Sequence, residues 1–367
     1  MASSSSIQPP TANLTAATKA GRLFVKYGTI TLVVLMVGRM LFSAFIAYWK
    51  ATHPAPPPPP TVGFGFLTDI KFPLQTEADR PKSYRLETGL GNRLPEFDID
   101  RAKVFLMPKA SANLLADQEI KKIAATYGFI FEPQLLDSRT YRWTKTGALD
   151  ASLEIDIRNK TFSYKTNYLS KPELIVSTGK TPEEYDAVRR VKAFLDRTDL
   201  LPEDIATAPG EAVFLKSLGG ELEEAFSLSD ADFIQINLDR TVVDEQYEMY
   251  NPDPKKGVIT AVISGVLSGQ ESIVDLEYHY RPIDYTQVET YPVRSARSAW
   301  QVLQSGGGYV AAKGKSEEAV IREVKLGYYE DWENEQEYLQ PIYVFTGDNG
   351  FVGYAPAIDP QYLTEGN

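Results

Sequence analysis

Cysteine is absent from the 367 residues and histidine occurs only twice. The first absence excludes disulfides, thiolate metal sites, iron–sulfur clusters and a cysteine nucleophile. The second excludes a histidine-rich metal centre and leaves only His53 and His279 to serve a Ser–His–Asp triad. Acidic residues are missing from the first fifty positions, which carry five bases: Lys19, Arg22, Lys26, Arg39 and Lys50. Removing these five from the chain's 38 basic residues leaves 33, against 49 acidic residues, over residues 51–367. An excess of 16 carboxylates there argues against nucleic acid as a partner.

Catalytic signatures are missing as well. No Gly-x-x-x-x-Gly-Lys-Ser/Thr loop and no Gly-x-Ser-x-Gly elbow occurs. Gly306, Gly307 and Gly308 follow a helical pattern instead of opening one, so they read as a helix stop. His53 falls beside a proline run, and His279 alternates along a strand pattern as a face residue. Asp98, Asp100 and Asp348-Asn-Gly350 are fragments of a calcium loop, better read as turns. No metal or cofactor is expected from these patterns.

What is present begins with one long apolar run, residues 27–49. A helix of about 20 residues crosses the ~30 Å hydrocarbon layer. Tyr27 stands at one end and Tyr48 with Trp49 at the other, where interfacial aromatics belong. Three cations precede the run and Lys50 follows it, which predicts a cytoplasmic N-terminus and an exported C-terminal part. The bulky end of the run disfavours a cleaved signal peptide, so a signal anchor in the cell membrane is expected. Arg39, near the middle of the run, either snorkels or pairs with an acidic residue of a partner helix.

The flanks divide the chain. Residues 1–26 are polar and are expected to form a disordered cytoplasmic tail; 27–49 is the membrane helix; 50–61 is a proline-rich linker. The remainder predicts α+β architecture in two modules, 62–178 and 179–367. Short strands are expected within 61–109, and a helix over 111–127 with Gly128 as its stop. Leu153, Ile155 and Ile157 alternate into a hairpin turning at Asn159 and Lys160. Thr181, Pro182 and Glu184 predict a capped helix, with Thr181 as the cap. Strand patterns follow, then a third helix over 295–305, then four more strands, the last two joined at Asn349-Gly350. The recurrence of one amphipathic helix followed by antiparallel strands is the α+β arrangement.

Tyr291-Pro-Val, Ala299-Trp300-Gln-Val-Leu, Val324-Lys-Leu-Gly-Tyr328-Tyr329, Leu339-Gln-Pro341-Ile-Tyr-Val-Phe and Tyr354-Ala-Pro-Ala form a series. It resembles the exported part of the YycH/YycI family of bitopic bacterial regulators and, more loosely, PepSY-type modules. The likeness spans residues 181–358 in pattern. It implies a short cytoplasmic tail, one membrane helix, an α+β exported part and contact with a membrane sensor kinase. It offers no catalytic residues. The module at 62–178 has no counterpart in it.

These readings converge on a non-catalytic, membrane-anchored extracytoplasmic protein that contacts another envelope protein. Arg39, Trp300, Tyr328, Tyr329, Trp332 and Tyr343 are the candidate contact residues, because aromatic and guanidinium anchors dominate interfaces. The alternative is a cell-envelope glycan hydrolase using a carboxylate pair. It would draw on Glu221, Glu223, Glu224, Asp230 and Asp232, or on Glu330, Asp331, Glu333, Glu335 and Glu337. The bland reading of both runs is a solvated loop or helix end.

Overall fold

The computed structural model describes residues 14–53, 59–89, 91–111, 113–175, 181–244, 246–332 and 334–364. They fall into two units, Met1–Pro59 and Pro60–Asn367. The linker prolines at 54–58 lie outside the described residues.

The first unit is one helix, α1 (Leu14–Thr52). Its stretch Thr18–Lys50 is long and apolar enough to cross a membrane, an 18-residue part of it having a mean hydropathy of 2.2 and none of that part being buried. The threonine and serine hydroxyls within the run are satisfied by the helix itself. Thr29 donates to the Val25 carbonyl at 2.8 Å, Thr31 to Tyr27 at 2.8 Å and Ser43 to Met40 at 2.8 Å. That is what a spanning segment requires where no water can serve those groups. The expected disordered tail is corrected in part: the helix starts at Leu14, inside it, and residues 1–13 lie outside the described residues. Ala16, Ala17, Ala20 and Leu23 favour helix, and extending an existing helix costs far less than nucleating one.

The second unit is α+β and contains two large sheets. The first has nine strands. In spatial order they are Gln134–Leu135, Thr140–Lys145, Ala151–Asp156, Phe162–Thr166, Ile273–Tyr278, Ile259–Ser264, Phe233–Leu238, Glu211–Leu218 and Glu221–Glu224. All eight neighbouring pairs are antiparallel. Helices α2 (Ala116–Thr126) and α4 (Glu184–Asp196) share one core with this sheet. Ile120, Ile123 and Ala124 of α2 and Val191, Phe194 and Leu195 of α4 meet Leu153, Ile155, Ile234, Ile236 and Leu276. Between α2 and α4 lies α3 (Pro172–Ile175), and after them α5 (Glu203–Ala206), each a single turn.

The second sheet is centred on Glu318–Tyr329 and Tyr338–Gly347, with Val352–Pro356, Tyr309–Ala312, Met249–Tyr250, Ser83–Leu86, Arg101–Leu106 and Asp284–Pro292. Helix α6 (Ala296–Gln304) covers it through Ala296, Ala299 and Leu303, packed with Val310, Ile321, Phe345 and Phe351. Most pairings are antiparallel. Ser83–Leu86 and Met249–Tyr250 instead run parallel to the long strand Glu318–Tyr329.

Three expectations change. The boundary at 178/179, which itself lies outside the described residues, does not separate two sheets. Phe162–Thr166 pairs with Ile273–Tyr278, Arg101–Leu106 with Asp284–Pro292, and Ser83–Leu86 with Glu318–Tyr329. Strands from both expected modules thus build both sheets. The recurring helix-then-strands pattern does not give each helix its own sheet, since α2 and α4 share one core with the first sheet. Finally, Thr181 does not cap α4. Its hydroxyl donates to the Ala231 carbonyl at 2.8 Å, and the cap position is Glu183.

Candidate functional site

The six residues singled out from the sequence do not form one site. Tyr328, Tyr329 and Tyr343 are interior. Tyr328 donates its hydroxyl to the Lys103 carbonyl at 2.9 Å, and Tyr343 donates to Arg294 at 2.7 Å. Phe72 meets Tyr329 edge-on at 5.0 Å. These three rings hold the second sheet to its neighbours and present no surface. The strand of Tyr328 and Tyr329, Glu318–Tyr329, alternates only in its first half and is buried throughout its last four residues, and Tyr343 sits on the largely buried strand Tyr338–Gly347. A fully buried strand reads in sequence like an aromatic face. Arg39 lies exposed on α1 in the other unit.

Trp300 and Trp332 are half-buried and line different depressions. Trp300 stands on α6, edge-on to Tyr84 at 6.0 Å and tilted against Phe345 at 5.5 Å. Segment 92–99 runs beside it, and Leu94, Phe97 and Ile99 pack on the same core. Between segment and helix runs a groove of about 700 Å³. Its walls include Arg93, Glu96, Phe97, Arg294, Arg297 and Trp300. Helix α6 starts at this groove because Ser295 caps it, its hydroxyl accepting from the Ser298 N–H at 3.2 Å. Arg294 donates two bonds to the Ile358 carbonyl, at 3.0 and 3.2 Å, and burial lowers its pKa from the ordinary guanidinium value.

Trp332 stacks on His279 with centroids 5.0 Å apart. It lines a polar cleft of about 590 Å³ with Lys109, Arg139, Arg158, Lys160 and Arg281. Several of these cations are already matched: Lys160 with Glu119 at 2.9 Å, Lys109 with Glu337 at 3.3 Å and Arg139 with Asp156 at 3.9 Å.

The acidic runs separate. Glu221, Glu223 and Glu224 sit exposed on the edge strand Glu221–Glu224. The second run is not simply solvated. Glu330 is buried and takes a two-pronged bond from Arg240, at 2.9 and 3.0 Å. Asp331 is also buried and accepts the backbone and side-chain amides of Asn334 at 3.1 and 3.0 Å, which makes it a turn former. Asp331, Glu335 and Glu337 line a small pocket of about 210 Å³ with Asp69. Burial raises the Asp69 pKa, against a lowering bond from the Ile70 N–H. Glu333 lies outside the described residues. Among the described residues no group of three or more His, Asp or Glu side chains could hold a metal ion.

Sequence reasoning missed the groove beside α6 as a unit. Its walls come from residues 86–99 and 293–304 plus Tyr343, about two hundred positions apart. Only the sequence-local part, Arg294 and Arg297 around a Ser cap, could have signalled it. No family model, no curated protein and no solved structure matches the chain.

Proposed function

We propose that the protein is a single-pass membrane anchor carrying an extracytoplasmic α+β domain, and that it works by binding another envelope protein rather than by catalysis. The observation that carries this reading is α1. It is apolar over residues 27–49 save for Arg39, none of its most apolar part is buried, and its threonine and serine hydroxyls bond to the helix backbone. A helix apolar all round needs a nonaqueous neighbour, and a bilayer supplies one. The flanking charges support a cytoplasmic N-terminus. A tethered domain meets membrane-bound partners at raised effective concentration, which favours a binding role. The aromatic and guanidinium lining of the groove at Trp300 supports the same role, as does the likeness of residues 181–358 to the YycH/YycI family.

The glycan-hydrolase reading has one observation in its favour, the burial-raised carboxyl of Asp69 in a pocket shared with Asp331. A general acid needs such a raised value. Against it, Asp331 is engaged by Asn334.

The test uses the full-length protein in native membranes with photo-crosslinking side chains placed over the surface of the folded domain. A discrete adduct to one membrane or envelope protein is the expected result. Turnover of envelope glycans by the purified protein, lost in Asp69→Asn and accompanied by no adduct, would replace the binding reading with the hydrolase.

A further inference from the structure

The groove beside α6 carries charge of an unfavourable sign for its place. Arg294 precedes the Ser295 cap, Arg297 lies in the first turn, and that turn has no acidic residue. A helix start bears roughly half a positive charge, so a guanidinium beside it opposes the fold; Arg294 is offset by the Ile358 carbonyl and the charges of Asp69 and Asp359, whereas Arg297 is not. Arg93 adds a third on the opposite wall. Neither Arg93 nor Arg297 has an ion-pair partner among the described residues, and Glu96 is the one carboxylate in the lining. All this occurs in a region with 49 acidic residues against 33 basic ones, where carboxylates are plentiful. A local rule broken without compensation inside the fold is a mark of function.

The rest of the groove is apolar. Leu94, Phe97, Ile99 and Trp300 are each half-buried there, and Tyr343 closes the base. We propose that this groove binds an acidic segment of a partner protein that carries an apolar anchor residue. The proposal rests on the binding role and names the chemistry of the partner. Arginine forks take carboxylates two-pronged, and the positive end of the α6 dipole favours the same charge. The anchor residue would lie on Trp300 and Phe97. Trp, Tyr and Arg together are the composition of an interface hot spot. A purely anionic polymer would use the guanidiniums and leave the aromatic floor unused, so a peptide fits better than a sulfated glycan. Because the surrounding surface repels acidic chains, the groove would also select where along the domain such a partner lands.

The experiment measures fluorescence anisotropy on the full-length protein in detergent micelles. The probe is a fluorescein-labelled peptide of sequence Asp-Glu-Trp-Leu-Glu-Asp, beside Lys-Lys-Trp-Leu-Lys-Lys and a heparin hexasaccharide. The acidic peptide should bind at least about tenfold more tightly than the basic one, and more weakly as salt rises. Arg93→Glu and Arg297→Glu should each reduce that affinity about tenfold. Arg297→Glu should at the same time raise the thermal midpoint, because it relieves the helix start. Equal binding of both peptides, affinity unchanged in both variants, binding of heparin alone, or a lowered midpoint in Arg297→Glu would overturn the proposal. The peptide result judges the groove only. The membrane crosslinking judges the binding role, so either can fail without the other.

Discussion

Arg240 takes a guanidinium into the interior with every partner in place. Its side chain is 1 % exposed and that of Glu330 is 3 %. It also donates to Asp204 of α5 at 2.6 Å and to the Arg281 carbonyl, and lies 4.0 Å from the centroid of the Tyr280 ring. These contacts tie the end of the nine-stranded sheet to the last residues of the long strand in the second sheet. Removing one partner strands the other charge. Glu330→Ala should therefore cost about 3–5 kcal/mol in chemical denaturation. Arg240→Met combined with Glu330→Leu should cost less than the sum of the two single changes. Additivity within about 0.5 kcal/mol would show that the pair is not coupled. Asp275 makes the opposite case. It lies in the first sheet between Lys165 and Val262, and burial raises its pKa to about 6, with Lys165 lowering it and Glu277 raising it. The folded value exceeds the unfolded one of about 3.9, so the fold favours the protonated form. That stabilisation is complete below about pH 4 and lost as pH rises through 6, leaving an ionised, partly desolvated carboxylate at pH 7. Asp275→Asn should then exceed the parent by about 1–3 kcal/mol at pH 7, with the gain fading to nothing near pH 4. A gain that does not vary with pH would refute the ionisation argument.

Elements were legible where local chemistry decides them. The Asn159-Lys160 turn joins Ala151–Asp156 to Phe162–Thr166, with Lys160 in the left-handed region at φ 59°. Asn349 and Gly350, at φ 58° and 78°, turn Tyr338–Gly347 into Val352–Pro356. Gly128, at φ 86°, follows the end of α2 as its spacing indicates. Elements set by distant partners were not legible. Leu114 and Leu115 continue the apolar stripe of α2 in sequence, yet they precede the helix and are exposed. Thr181 has a capping-box pattern, but the buried Ala231 carbonyl takes its hydroxyl instead. Glu221–Glu224 reads as a charge run and forms an edge strand, where exposed carboxylates discourage further pairing. Asp284–Pro292 has little alternation, because much of it is exposed, and its register comes from Arg101–Leu106. The candidate site failed for the same reason. Buried tyrosines and surface tyrosines look alike until the strand order is known, and the groove at Trp300 needs two remote segments brought together.

At the scale of the whole molecule, the continuity of α1 changes what the flanking charges can do. In a disordered tail Lys19, Arg22 and Lys26 would be three independent cations. On a helix beginning at Leu14 they fall three and four residues apart, which places them in a row on one face. Such a row repels itself in water, and an anionic lipid surface would relieve it, at about 1 kcal/mol for each cation near the surface. Lys50 alone cannot compete from the other end. The central Arg39 works against insertion by about 2.5–3.5 kcal/mol, while the ten Leu, Ile, Val and Phe residues of the run return about 0.3–0.6 kcal/mol each, so the balance permits insertion with Arg39 in place. The expected outcome is that a reporter fused after residue 100 reads as exported and one inserted at residue 10 as cytoplasmic. Replacing Lys19, Arg22 and Lys26 together with Gln should mix the two orientations, whereas Arg39→Leu should leave the orientation unchanged. Reporters reading the reverse, or a triple variant as uniformly oriented as the parent, would show that the row of cations does not set the topology.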